Sequence, residues 1–405
     1  MKNRTRHMQY RQLPDGTSIS ALGLGCMRFP GYTVGHPNQK AVEAIIGRAL
    51  ERGINYFDTA WLYAGSEAAV GKALTKLDAH GKVMLASKLP HALCKKTEHF
   101  ERYLSASLER LQRDSVEFYL VHNINNWEQW ERLKALGIED WLMRQRSSGR
   151  IERVGFSFHG VAADFIKLLD AFNWDFCQIQ YNYAGERVQA GTVGLMDAAE
   201  RNIPVFIMEP LLGGRLADKL PKRAKRILRA ADTALGREPL SPAAWGLKWL
   251  WDKPQVTMVL SGMTAVDMVD ENCDIAAASP AGCMTDAEHE AIAGVVAEFE
   301  QSSRVPCTGC GYCVPCPRGV DIPGAFSSYN ASYAHGTFTG FWQYYTGAAV
   351  RSGNPKLVSL CTECGACTRR CPQRIDIPQE LKAVRRRFQP GPVDIALNSM
   401  TKKKR

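Results

Sequence analysis

Short apolar runs and longer amphipathic stretches alternate eight times over the first three hundred residues. The apolar runs are 21–26 (ALGLGC), 54–60 (INYFDTA), 83–89 (VMLASKL), 116–122 (VEFYLVH), 153–158 (RVGFSF), 176–181 (FCQIQY), 204–209 (PVFIME) and 256–262 (VTMVLSG). Between them lie segments such as QKAVEAIIGRALERG (39–53), whose apolar residues recur at three- and four-residue steps, the period of a helix. Strands this apolar are buried on both faces, as in a parallel sheet covered by helices. Eight βα units in about 250 residues predict an α/β fold, a closed (β/α)8 TIM barrel rather than an open sheet. LPDGTSI (13–19) reads as a hairpin turn outside the eight units. A long segment, 211–238, follows the seventh strand and is expected to carry a helix of its own.

In such a barrel the strands' C-terminal ends and the loops after them form the site. Asp58 closes the second strand and Tyr63 lies in the loop beyond it; Lys88 is near the end of the third, and His122 closes the fourth. A tyrosine hydroxyl is a poor acid near neutrality, with a pKa of about 10. An ammonium beside it stabilises the phenolate and lowers that value. Asp58 would hold Lys88 charged, and His122 would polarise a carbonyl oxygen or join a proton relay. Singly, these are a helix cap, a surface charge and a core histidine; on adjacent strand ends they form a constellation for proton transfer.

Composition changes the picture only past residue 300. Apolar content of 45% and charged content of 23% are those of a soluble globular chain. No run of eighteen apolar residues marks a membrane span, and no signal peptide is readable, so a cytoplasmic location is the expectation. The net charge of +10 is unevenly spread: residues 1–300 hold 36 basic against 36 acidic residues, and residues 301–405 hold 15 against 5. The excess suits a solvated basic tail or a docking face for something acidic. No base-reading motif accompanies it, so nucleic acid is not expected.

Eight of the thirteen cysteines form two tight clusters, CTGCGYCVPCPRGVDIP (307–323) and CTECGACTRRCPQRIDIP (361–378). The second is C-x2-C-x2-C-x3-C-P, the bacterial ferredoxin run, in which three cysteines bind one [4Fe–4S] cluster and the fourth binds another. The first run is one residue shorter, and the two converge again in CPRGVDIP and CPQRIDIP. Cross-ligation predicts Cys307, Cys310, Cys313 and Cys371 for one cluster, and Cys361, Cys364, Cys367 and Cys316 for the other. Four thiolates also suit structural zinc, but paired CxxCxxC runs each closed by Cys-Pro favour iron and sulfur. Each oxidised cluster with its thiolates carries about −2, so Arg318, Arg369, Arg370 and Arg374 are candidate counter-ions. The aromatic stretch between the runs reads as an insertion packed over the clusters or on the barrel, with aromatic substrate binding as the alternative.

GINYFDTAWLYAGSEAAVGKAL, ASKLP and YLVHNIN resemble the aldo-keto reductases over roughly residues 8–300. That resemblance implies a tetrad of Asp58, Tyr63, Lys88 and His122 and an extended nicotinamide cofactor, NAD or NADP, across the strand ends. It implies carboxamide contacts from Ser157 and Gln178, pyrophosphate contacts from Gly213 and Gly214, and contacts from Ser261, Gly262, Glu271 and Asn272 to the adenine half. This chain has Phe158 where the family often has Asn, and Glu209 where a small hydroxyl is usual. Met268 and Gly262 stand at the usual places of a 2′-phosphate grip. The whole chain is similar to aldo-keto reductases fused to a two-cluster ferredoxin-like domain. The expected organisation is a barrel over 1–300, a ferredoxin-like domain over 301–390 and a basic tail over 391–405.

The expected activity is interconversion of a small-molecule carbonyl and an alcohol. The clusters would pass electrons to or from an acidic one-electron carrier such as ferredoxin or flavodoxin. Hydride carries two electrons and a cluster one, so that link needs a flavin or a substrate radical. Two alternatives stand beside it: a nicotinamide-dependent reductase whose clusters are structural or redox-sensing, and a redox-responsive binding protein with a vestigial barrel.

Overall fold

The computed structural model describes residues 7–31, 36–350 and 356–391. Of the tail expected over 391–405, residues 392–405 lie outside the described residues. The chain divides into two compact units, one of residues up to 210 with 244–284, the other of 211–243 with the residues from 285 onward.

The first unit is the barrel. A hairpin of β1 (Tyr10–Gln12) and β2 (Ser18–Ser20) precedes it, antiparallel, with Tyr10 opposite Ser20. The turn closes where Leu13 N donates to Thr17 O, and Gly16 sits at φ 84°, a backbone conformation that glycine adopts at no steric cost. Eight parallel strands follow: β3 (Leu22–Gly25), β4 (Tyr56–Asp58), β5 (Met84–Leu89), β6 (Val116–Ile124), β7 (Ile151–Phe158), β8 (Phe176–Gln180), β9 (Val205–Met208) and β10 (Val256–Ser261). Each pairs with the next, and β10 pairs with β3 to close the ring. The apolar runs thus form the strands predicted from them.

The helices of this unit are α1 (Gln39–Glu51), α2 (Ser66–Lys76), α3 (Glu98–Leu111), α4 (Trp127–Ala135), α5 (Ile138–Ser147), α6 (Ala162–Leu169) and α7 (Gly191–Glu200). The units regroup after α8 (Lys222–Ala234), and α9 (Pro242–Trp251) and α10 (Val266–Ala278) complete the barrel. Its interior is filled at the strands' starting ends. Tyr56, Phe118, Phe176 and Phe206 pack edge to face or tilted, at centroid distances of 4.9–5.8 Å. Leu13 and Ile19 of the hairpin join the same cluster. Aromatic pairs add about 0.5–1.5 kcal/mol each beyond area burial. With that end sealed by rings, the polar residues of the strands collect at the other.

The second unit holds α8, α11 (Asp286–Ser302), α12 (Ile322–Ala334), α13 (Thr337–Tyr344) and α14 (Ile377–Phe388). The repeated sequence gives a repeated structure. Asp321 caps α12 by accepting from Gly324 N at 3.0 Å, and Asp376 caps α14 by accepting from Gln379 N at 3.3 Å. Each helix has proline in its first turn, where its missing N–H leaves no helical bond unmade. Ile322, Phe326, Ile377, Leu381 and Phe388 share one core with Tyr329 and Tyr344 from the aromatic stretch. Tyr344 stacks on Phe388 at 5.2 Å, and its hydroxyl accepts from Val358 N at 3.0 Å.

Candidate active site

Asp58, Lys88, His122, Ser157 and Gln178 lie at the C-terminal ends of β4 to β8 and are all buried. Lys88 Nζ donates to Asp58 Oδ1 at 2.5 Å and to the Thr59 carbonyl at 2.7 Å. Gln178 Nε2 donates to the other oxygen of Asp58 at 3.2 Å. Burial pulls the Lys88 ammonium down and pushes the Asp58 carboxyl up, and each opposes the other's shift by its charge. Such a pair persists because removing either member leaves a buried uncompensated charge.

Tyr63 stands over this pair. Lys88 Nζ is 5.0 Å from its ring centroid, and the His122 ring meets it edge-on at 5.7 Å. The four groups that sequence reasoning joined are therefore neighbours. Burial holds the His122 imidazole well below its ordinary pKa, reinforced by Lys88. The ring is therefore neutral at neutral pH, able to donate one N–H without giving up a full proton.

A second row runs across β6, β7 and β8. Asn123, at φ 63°, donates its backbone N–H to Ser157 Oγ at 2.7 Å, and Ser157 is in register with Gln178. Asn123 Oδ1 and Gln178 Oε1 are buried acceptors with no hydrogen-bond partner among the described residues. Two orphaned acceptors flanking a hydroxyl suit a carboxamide, which offers two N–H donors and one acceptor. The residues present thus fit a nicotinamide at this row. Asn123 was legible only as a neighbour of His122; its backbone turn and its bond to Ser157 are tertiary features.

The remaining nucleotide candidates are distributed differently. Ser261 and Asn272 are bonded to each other, Asn272 Nδ2 donating to Ser261 Oγ at 3.0 Å, and Glu271 is exposed. A Cβ built on Gly262 would lie 3.6 Å from the Arg28 side chain, so a guanidinium stem stands where the chain lacks a cation in sequence. Gly213 and Gly214 adopt φ of 64° and 87° and belong to the second unit.

In the second unit, the eight cysteines ring two small cavities. Cys307, Cys310, Cys313 and Cys371 line the first, with Ile322, Phe326 and Ile375. Cys316, Cys361, Cys364 and Cys367 line the second, with Arg318, Ile322 and Leu381. The sets are those expected from cross-ligation, and Ile322 is a wall of both. Among the described residues no three metal-ligating side chains gather tightly enough for a single ion. Four thiols set around each space give the donor set that a [4Fe–4S] core takes. Burial first, and the three companion thiols after it, push the Cys313 thiol up to about 12, so bound positive charge is what would hold it as a thiolate.

Residues 21–293 match the aldo/keto reductase family, and residues 306–375 match the 4Fe-4S dicluster domain. An uncharacterized oxidoreductase of Bacillus subtilis, YrpG, is 29% identical over 53% of this chain and 70% of its own length. Among solved structures, an aldo-keto reductase from Bacillus halodurans in its holo form superposes with a TM-score of 0.58 at 23% identity, over 71% of this chain and 96% of its own. An aldo-keto reductase from Klebsiella pneumoniae in complex with NADPH gives 0.56 at 22% identity, over 71% and 95%. No helix among the described residues is long and apolar enough to cross a membrane.

Proposed function

Since the chain belongs to the aldo/keto reductase family and carries a 4Fe–4S dicluster domain, we propose that it interconverts a small-molecule carbonyl and an alcohol at the strand ends, with NADPH as the hydride carrier and two [4Fe–4S] clusters. The observation that carries this reading is the buried Lys88–Asp58 pair, 2.5 Å long, beneath the Tyr63 ring. A nicotinamide bound at the Asn123–Ser157–Gln178 row supplies or takes the hydride. Tyr63 gives the proton to the carbonyl oxygen from its hydroxyl, and in the reverse direction takes it back. Lys88 lowers the cost of the phenolate left behind, by charge at short range. Asp58 and the Thr59 carbonyl hold the ammonium in place, and Gln178 fixes the second oxygen of Asp58. Neutral His122 donates its N–H to the substrate oxygen and orients it. Arg28, beside Gly262, is the cation proposed to meet a 2′-phosphate.

Cys307, Cys310, Cys313 and Cys371 hold one cluster in this reading, and Cys316, Cys361, Cys364 and Cys367 the other. Bound clusters supply one-electron exchange with an acidic carrier protein. A second reading, in which they are structural or redox-sensing, is favoured by one observation: six of the eight cysteines, all but Cys310 and Cys364, pack against the unit's apolar core, so cluster loss would also loosen that core.

Tyr63→Phe in anaerobically prepared holoprotein tests the barrel chemistry. NADPH-dependent carbonyl reduction is expected to fall about 10²–10⁴-fold while NADPH still binds. Turnover that survives the substitution would remove the tetrad from the mechanism.

A further inference from the structure

The two cysteine-lined cavities differ at their rims. No charged side chain lines the Cys307 cavity; its remaining walls are Thr308, Gly311 and Gln373 with prolines and apolar residues. The Cys316 cavity carries charge and an exposed thiol. Cys364 is the exposed member of the eight cysteines, and Arg318 lines the opening. Arg369 reaches over the same rim: a Cβ on Gly365, itself a wall of the cavity, would sit 3.5 Å from Arg369 Nη1. Arg370 follows it in the chain.

Arg318, Arg369 and Arg370 are all exposed, and their guanidiniums make no ion pair with a described residue. The acid beside Cys364, Glu363, is taken by Lys382 at 2.8 Å. Arg318 and Arg369 therefore leave two positive charges at the rim that holds the one exposed thiol, and Arg370 adds a third beside Arg369 in the chain. The simplest account makes them counter-ions to a bound cluster. A counter-ion acts most strongly when withdrawn from water into a low dielectric, yet these three lie in solvent. From there their field extends outward, where it raises encounter rates with an oppositely charged partner.

We propose that this rim is the docking surface for a small acidic one-electron carrier protein. Its carboxylates meet Arg318, Arg369 and Arg370, and the Cys364 edge is the point of closest approach. The proposal rests on the reading that clusters occupy the two cavities. In the exchange the carrier loses one electron and the group held at Cys364 gains it, or the reverse; no bond forms or breaks and no proton moves. The two cavities share Ile322 as a wall, and the exposed Cys364 makes the Cys316 set the one that meets the carrier.

The test uses full-length holoprotein, reconstituted anaerobically, with a plant-type [2Fe–2S] ferredoxin as the acidic probe. Iron per chain is counted first. Binding of oxidised ferredoxin is then measured by surface plasmon resonance for wild type and for Arg318→Gln/Arg369→Gln/Arg370→Gln, with cluster potentials followed by EPR. Wild-type affinity is expected to fall about tenfold as salt rises from about 20 to about 200 mM, because exposed charges are screened. The triple variant is expected to lose about tenfold in affinity at low salt with iron content and both potentials unchanged. Unchanged ferredoxin affinity overturns the proposal, as does a shifted cluster potential with binding intact, which would make the arginines counter-ions. Loss of binding to a DNA oligomer alone overturns it in favour of a nucleic-acid surface. A chain with no iron defeats the cluster reading beneath it, a failure the iron count separates from that of the docking surface.

Discussion

Lys88 and Asp58 stand thirty residues apart in the chain and Gln178 another ninety beyond, yet they form one closed hydrogen-bonded set. The cysteines of the second unit come from two short local runs, and their thiols stand around open space. The barrel site is electrostatically complete with no ligand: each buried charge has its partner. The cysteine sites become charged only when something positive binds their thiolates. The two regions should accordingly fail in different ways, the barrel when a side chain is removed and the second unit when its inorganic contents are.

Lys88→Met gives the largest expected effect. It removes the activating cation and leaves the Asp58 carboxyl buried without its partner, which costs about 3–5 kcal/mol. Urea unfolding should show that loss, and turnover should fall about 10²–10⁴-fold. Asp58→Asn added to Lys88→Met should recover much of the stability and none of the turnover. Equal stability of wild type and Lys88→Met would mean that the barrel site is no more closed than the cysteine sites.

Acid should separate the regions next. Burial lowers His91 and His159 to about 4, and both lie in the barrel unit. His91 accepts from Arg132 through Nδ1 at 3.2 Å and faces the Asn123 carbonyl through Nε2 at 3.3 Å, so an added proton would meet a guanidinium. Both rings are neutral in the folded state and take protons near pH 6.5 once unfolded. The unfolded chain binds more protons between about pH 6.5 and 4, so stability falls as pH falls through that window. Each histidine forfeits about 3 kcal/mol by pH 4. Eight of the nine tryptophans lie in the barrel unit, so urea midpoints read by tryptophan fluorescence at a series of pH values check this. A midpoint flat from pH 7 to 4 would contradict it.

Legibility divides along the same line. The eight strands were readable because each is an apolar run between amphipathic helices, and local periodicity survives in a linear sequence. The grouping of the cysteines around the two cavities follows the spacing within each run and its repetition, which a linear sequence also carries. The barrel's hydrogen bonds were less so. Gln178 was expected toward a cofactor, and it also braces Asp58, a contact across 120 residues that no window of sequence contains. The fourth strand runs past His122 to Ile124, and the positive φ of Asn123 is imposed by that tertiary setting. Residues 211–243 group with the second unit although they follow a barrel strand directly. The reason is packing of α8 on α11, where Ile227 lies within contact of Gly294.

Pairs of cysteine substitutions ask whether sets or runs are the working units. Cys313→Ser/Cys371→Ser touches both runs but one cavity, and should cost about half of the iron. Cys364→Ser/Cys371→Ser touches one run but both cavities, and should cost nearly all of it. Iron analysis and EPR of each chain decide. The reverse ranking would assign each cluster to a single run, against the cross-ligation expected of this motif.

The smallest expected effect concerns Arg215, in the segment that joins the second unit after β9. Its guanidinium lies over the Phe299 ring at 4.8 Å and donates to Ser303 Oγ. Burial lowers its pKa to about 10, opposed by the neighbouring Cys307, so it stays charged at neutral pH. Reduction adds negative charge to a cluster, and a fixed cation nearby favours the reduced form; net charge around a cluster is one determinant of its potential. Arg215→Gln should therefore move one of two midpoint potentials to a more negative value, that of the Cys307 set, and leave the other in place. Arg215→Lys keeps the charge and should restore most of the shift. A redox titration in which both potentials move together would show that the two cavities share one electrostatic environment, and the distinction between a cavity with a buried cation beside it and one with arginines at its rim would fail with it.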